Sequence, residues 1–234
     1  MRTALVTGAS SGIGLAICHQ LLQQGWQITG LARDFSNASS ITGHPQFTSV
    51  VCDLANLEQL PATITQLVKS TATINAVIFC AGKGQFGNLE QFSYPQIREL
   101  IEINFTSQAY LARAVLPKMK QARQGDLLFL GSEAALTGSR KGSLYCASKF
   151  ALRGFAQALR DECAKSGVRV SIINPGMVKT AFFDELNFQP CPEQSASILP
   201  EDIAKMVAMI LNIRPGTIID EITCTPANKC IRFD

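Results

Sequence analysis

The sequence predicts a doubly wound α/β fold: one parallel sheet of about seven strands with helices on both faces. Three observations carry this. Apolar runs of strand length recur along the chain, and most are continuous rather than alternating, the pattern of strands buried on both faces. Amphipathic runs of helical length lie between them. The chain also opens on an apolar run, Ala4-Leu5-Val6, that leads through a glycine-rich turn, Thr7-Gly8-Ala9-Ser10-Ser11-Gly12-Ile13-Gly14, into a helical run. Strand, glycine turn and helix is a layout that holds a nucleotide.

Strands are expected at 3–6, 27–31, 48–52, 76–80, 127–130, 168–173 and 217–222, and helices at 13–24, 56–70, 94–122, 145–165 and 201–212. The first helix stops at Gly25 and the fourth just before Gly167, since glycine tolerates the turn past a helix end. The third carries Leu100, Ile101, Leu111, Val115 and Met119 spaced for one face, and the fifth follows Pro200.

No linker, repeat or low-complexity run divides the chain, so residues 1–234 read as a single domain. At 47% hydrophobic and 17% charged, 234 residues suffice for one large core. The net charge of +3 is dispersed, which argues against a nucleic-acid face or a membrane-binding stripe. No uncharged apolar run has the length of a membrane span. The eight cysteines show no C-x-x-C pair and no histidine at metal-ligand spacing. They read as small apolar core residues in a reducing compartment, with no metal site. The first strand begins almost at Met1, leaving no room for a leader, so the cytoplasm is the expected location.

In such a sheet, ligands sit at the carboxyl ends of the strands, and the residues just past each strand are the candidate site. After the first come Gly8, Ser10, Ser11, Gly12, Ile13 and Gly14. Glycine lets the backbone approach a pyrophosphate, and the free N–H groups opening the next helix favour an anion. The spacing G-x-x-x-G-x-G, with no Gly-Lys-Ser/Thr after it, excludes a nucleoside-triphosphate P-loop. The later strands are followed by Ala32-Arg33, Asp53-Leu54, Ala81-Gly82, Gly131-Ser132 and Asn174-Pro175-Gly176. Tyr145 and Lys149, four apart on a helix, share a face. A lysine ammonium beside a phenol is expected to lower its pKa from about 10 toward neutrality, which would make Tyr145 a proton donor and acceptor.

With these residues on one sheet edge, the chain resembles the short-chain dehydrogenase/reductase family of the classical type over nearly its whole length. The resemblance implies a Rossmann-type dinucleotide fold. TGASSGIG is similar to that family's cofactor turn, and Tyr145-Cys146-Ala147-Ser148-Lys149 to its Y-x-x-x-K signature, with Ser132 thirteen residues earlier. Asn104 matches the family's helix asparagine and Asp53 the acid that contacts adenine. Asn174-Pro175-Gly176, with Val178 and Thr180, matches the segment beside the nicotinamide. One departure stands out: Phe79-Cys80-Ala81-Gly82 replaces the common Asn-Asn-Ala-Gly, so a different bracing of this sheet end is expected.

The resemblance implies hydride transfer between a nicotinamide cofactor and a small carbonyl or secondary alcohol. Ser132 would bond the substrate oxygen, and Tyr145 would exchange its proton. Lys149 would bind the ribose and tune Tyr145, and Asn104 would hold a water linking Lys149 to solvent. Arg33, with Ala32 where an acid would repel a 2′-phosphate, points to NADP(H) over NAD(H). A lid is expected at 181–199, bringing Phe182 and Phe183 over a substrate pocket whose other wall holds Gln85, Phe86 and Glu133. The helix from Tyr145 is apolar around more than one stripe, and related family members are commonly dimers or tetramers, so a homodimer or homotetramer is expected. The alternative is a non-catalytic NADP(H)-binding sensor or scaffold on the same fold. The combination of Ser132, Tyr145 and Lys149 argues against it.

Overall fold

Strands this apolar need cover on both faces. In the computed structural model, which describes residues 1–233, they obtain it by aligning into one sheet. The strands are β1 (Thr3–Thr7), β2 (Gln27–Ala32), β3 (Phe47–Val51), β4 (Ala76–Phe79), β5 (Gly125–Leu130), β6 (Val168–Pro175), β7 (Phe188–Pro190), β8 (Glu221–Cys224) and β9 (Ile231–Phe233). Seven form a sheet in the order β3-β2-β1-β4-β5-β6-β8, every neighbouring pair parallel. β7 and β9 pair antiparallel as a separate ribbon. The helices are α1 (Gly12–Gln23), α2 (Ser39–Thr42), α3 (Leu60–Ser70), α4 (Tyr94–Ile101), α5 (Ser107–Ala122), α6 (Ser143–Cys163) and α7 (Pro200–Asn212).

Successive strand residues face opposite sides, so each strand feeds two cores. Val6, Ile28 and Ile78 meet Ile17 and Leu21 of α1 and Ile203 and Val207 of α7. Leu5, Leu31, Val77 and Phe129 meet Ile64 of α3, Leu111 and Val115 of α5 and Leu152 of α6. Burying one such side chain contributes roughly 1.5–3 kcal/mol. The chain runs outward from β1 to β3, then crosses back to lay β4 on the other side of β1. That reversal opens a crevice at the carboxyl ends of β1 and β4, where ligands of this fold class sit.

The structure departs from the sequence reading in several places, and α2, β7 and β9 were not expected. The helix predicted over 94–122 is interrupted by a π turn at Glu102–Thr106, because one extra residue is accommodated between α4 and α5. The helix predicted from 56 begins at Leu60, with Pro61 in its first turn, where a missing N–H costs nothing. The last sheet strand starts at Glu221, not 217, since Thr217 is turned back onto the Arg214 carbonyl. Finally, Cys191 and Cys230 are half-buried and joined as a disulfide beside the β7–β9 ribbon, so not all eight cysteines are core thiols. A disulfide persists in oxidising surroundings, and cysteine usage therefore ceases to indicate a reducing compartment. Among the described residues, no helix is long and apolar enough to cross a membrane.

Candidate active site

The turn after β1 builds a cradle. Gly8 and Gly12 have φ of +67° and +51°, and a Cβ on Gly14 would lie 2.1 Å from the Gly8 carbonyl oxygen. Glycine is what lets α1 start against the turn. Ser11, the N-cap of α1, makes no side-chain cap bond, and the first turn has no acid, so its opening N–H groups remain available to an anion. This cradle is one wall of a groove of about 710 Å³ that is also lined by Ser10, Ile13, Arg33, Asp53, Leu54, Ala81, Gly82 and Thr180. Arg33 is exposed and has no ion-pair partner among the described residues. Asp34 turns back on its own loop. It accepts the Ser36 amide at 3.0 Å and the Ser36 hydroxyl, and these bonds hold its carboxyl below the usual carboxylate range. The sheet end that lacks the common asparagine is braced by Thr7, whose Oγ1 accepts the amides of Cys80 at 3.0 Å and Ala81 at 3.1 Å.

A second cavity, of about 510 Å³, adjoins this groove and shares Ile13, Cys80, Gly82, Lys83, Thr180 and Phe182 with it. Ser132, Glu133, Tyr145 and Lys149 line it, as do Pro175, Gly176, Val178 and the lid residues Phe182 and Phe183. Pro175, Gly176 and Val178 thus stand on the second cavity rather than in the groove where a dinucleotide's phosphates would lie. Ser132 leaves β5 with its N–H donated to Oδ1 of Asn174 at 3.3 Å. Asn174, wholly buried, donates in turn to Glu221 at 2.5 Å, and Glu221 also accepts Arg153 Nε at 2.8 Å. One chain of polar contacts therefore fixes Ser132 from β6, β8 and α6.

Tyr145 and Lys149 share a face of α6 as predicted, with Lys149 Nζ 5.8 Å from the tyrosine ring centroid. The expected lowering of the tyrosine does not occur. Burial pushes the Tyr145 phenol up to about 12, and the Ser132 hydroxyl only partly offsets it. Burial lowers Lys149 to about 8. Lys149 Nζ donates to the Leu130 carbonyl at 3.0 Å. Burial is the main cause of both shifts, since it disfavours the charged form of each side chain.

Asn104 lies in the π turn, wholly buried, and lines neither cavity. Its carboxamide accepts the Lys83 amide at 2.8 Å and donates to the Lys83 carbonyl and the Ser148 hydroxyl, each at 3.0 Å. Its backbone carbonyl accepts Gln108 Nε2 at 2.8 Å. Those contacts tie the π turn to the loop after β4 and to α6. Gln85, expected on the pocket wall, does not line either cavity, and its Oε1 is buried without a partner; Phe86, expected beside it, does line the second cavity. The segment expected to form a lid is held at both ends, Lys179 N donating to Ile198 O and Ile198 N to Met177 O, each at 2.8 Å. Lys229 and Ile231 also reach the cavity, and the sequence reading missed them. They lie in a polar terminal stretch with no apolar period, and only the pairing of β9 with β7 brings them in.

The family model described as short chain dehydrogenase matches residues 2–190. The 3-oxoacyl-(acyl-carrier-protein) reductase FabG of Buchnera aphidicola is 31% identical over 188 residues, covering 80% of this chain and 77% of the relative. An uncharacterized oxidoreductase of Staphylococcus aureus is 29% identical, covering 96% of this chain and 97% of the relative. Among solved structures, a metagenomic short-chain oxidoreductase in complex with NADP superposes with a TM-score of 0.82 at 28% identity, covering 96% of each chain. An alcohol dehydrogenase from the archaeon Thermococcus sibiricus, complexed with 5-hydroxy-NADP, gives 0.85 at 25% identity, again covering 96% of each.

Proposed function

The chain belongs to the short-chain dehydrogenase family, and from that premise we propose that it is an NADP(H)-dependent oxidoreductase acting on a carbonyl or secondary alcohol through Ser132, Tyr145 and Lys149. The observation that carries this reading is the convergence of those three side chains on one cavity that opens into the glycine-cradled groove. The groove fits a dinucleotide phosphate. The Gly8–Gly14 turn and the α1 N–H groups would meet the pyrophosphate, Arg33 the 2′-phosphate, Asp53 the adenine and Lys149 the ribose. When bound, the cofactor supplies or accepts the hydride.

The chain's own residues handle the proton. With a phenol pKa near 12, Tyr145 is neutral at physiological pH and holds a proton ready for the substrate oxygen. Ser132 Oγ lies beside it to bond that oxygen. Lys149, near 8, carries a proton at neutral pH and gives it up readily, suiting it to resupply Tyr145. Asn104 ties the Lys83 backbone to Ser148, the residue before Lys149. General acid catalysis of this kind typically contributes ~10²–10⁴-fold. Tyr145→Phe removes the hydroxyl and keeps the ring, so turnover of a reactive ketone should fall by roughly 10²-fold or more while NADPH still binds. Near-normal turnover in that variant would refute the assignment. A sensor on this fold would need the groove and not the phenol.

A further inference from the structure

Five aromatic rings form a closed circuit around the reactive phenol. Centroid to centroid, Tyr145 is 5.0 Å from Phe86, Phe86 5.0 Å from Phe188, Phe188 5.9 Å from Phe183, Phe183 5.3 Å from Phe182, and Phe182 6.0 Å from Tyr145. They come from three separate segments: the loop after β4, the start of α6 and the lid. A core cluster would close on itself, but all five of these border the same cavity of about 510 Å³. Phe188 is held in place by the β7–β9 ribbon, whose neighbouring Cys191–Cys230 bridge ties the lid to the end of the chain.

The charged groups on this cavity are already engaged. Lys229 is paired with Glu133 at 2.6 Å and Lys83 with Glu99 at 3.1 Å, while Lys149 is bonded to the Leu130 carbonyl. Among the described residues, no arginine lines the cavity. A carboxylate or phosphate on the substrate would find no unpaired cation on the lid side, would face Glu133, and would lose its hydration there. A flat apolar group would gain edge and face contacts that stabilise aromatic pairs beyond simple burial.

We infer that the substrate is an uncharged carbonyl compound carrying a flat apolar group, an aryl ketone or aryl diketone above all, selected by Phe86, Phe182 and Phe188. This rests on the hydride-transfer reading of the site. In reduction the carbonyl carbon takes a hydride from NADPH, the oxygen takes the Tyr145 proton, and C=O becomes CH–OH as NADPH becomes NADP⁺.

The test is steady-state NADPH oxidation with three substrates. 1-Phenyl-1,2-propanedione carries the ring, 2,3-butanedione lacks it, and benzoylformate carries the ring with a carboxylate. Wild type should prefer the phenyl diketone over butanedione by at least about tenfold in kcat/KM, the order expected for burying a phenyl ring. It should disfavour benzoylformate relative to the phenyl diketone by about the same factor or more. Phe188→Leu keeps apolar volume, and Phe188→Ala removes it. Both should lower the ratio of phenyl diketone to butanedione, alanine more than leucine. Equal kcat/KM for the two diketones in wild type, a preference for benzoylformate, or an unchanged ratio in both variants overturns the inference. Reduction of butanedione without aryl preference overturns the substrate class alone. No reduction of either diketone overturns the oxidoreductase reading with it.

Discussion

Replacing Thr7 with valine keeps the shape of the side chain and deletes one oxygen, and the structure gives that oxygen two tasks. It accepts the amides of Cys80 and Ala81, at 3.0 and 3.1 Å, at a residue only 1% exposed. A buried donor left unpaired costs ~1–3 kcal/mol, so orphaning two destabilises the fold by about 2–6 kcal/mol. In a chain of this size each kcal/mol moves the melting midpoint by ~2–4 °C, which places the expected drop on the order of 10 °C. Thr7→Ser keeps the acceptor and loses one methyl, at a cost of ~1 kcal/mol. Urea unfolding can be followed by the fluorescence of Trp26, which is the chain's one tryptophan and 1% exposed. Ala81 also lines the cofactor groove, so NADPH affinity should weaken in the valine variant and not in the serine variant. If valine costs less than serine, or both cost the same, the hydroxyl does not brace this sheet end.

Three further outcomes follow from the same geometry. Arg33 should make NADPH bind ten- to a hundredfold more tightly than NADH, as hydrogen bonds to charged groups contribute roughly 1.5–3 kcal/mol; Ala32→Asp with Arg33→Ala should reverse the order in titration calorimetry, and equal wild-type affinities would sink this role. Lys149 titrates near 8 when folded against 10.5 when free, so between these values the unfolded chain holds the extra proton and stability rises with pH. Tyr145, near 12 against 10, acts oppositely and subtracts stability only above pH 10. Urea unfolding should therefore show a gain of about 2 kcal/mol between pH 8 and 10 that is missing in Lys149→Met, and identical pH profiles would contradict the buried lysine. Phe150 and Tyr110 stand 43% and 38% exposed on α6 and α5, and we expect these faces to pair with a second copy of the chain; a monomer by light scattering at micromolar concentration would count against that.

What the sequence revealed was local and continuous. The glycine turn, Ser132, and Tyr145 with Lys149 each follow a strand directly or share one helix face, so strand positions and helical spacing were enough to bring them together. The parallel sheet itself needed only the continuous apolar runs alternating with helical ones. The misses depended on information that spacing does not contain. Tyr145 was expected to be acidified because a neighbour can be read from sequence and depth of burial cannot. Residues 218 and 219 are both isoleucine and resemble a strand, yet pairing with β6 starts only at Glu221. Cys191 and Cys230 are 39 residues apart and meet only because a three-residue ribbon folds back. Gln85 was expected on the wall beside Phe86 and is not there, since nothing in an irregular loop fixes which side chains turn inward.

The π turn alters how the two layers of the molecule are joined. Lys83 lies past the end of β4, where no further strand is on hand to meet its backbone. Asn104 offers that backbone an acceptor and a donor together, at 2.8 and 3.0 Å, and so serves as one missing rung of a ladder, supplied from a helix. Because both rails of the rung belong to one planar amide, moving the π turn away from Lys83 breaks both bonds at once. The π turn and the loop after β4 are thereby held as one tile, and the same carboxamide joins that tile to α6 through Ser148, the residue before Lys149.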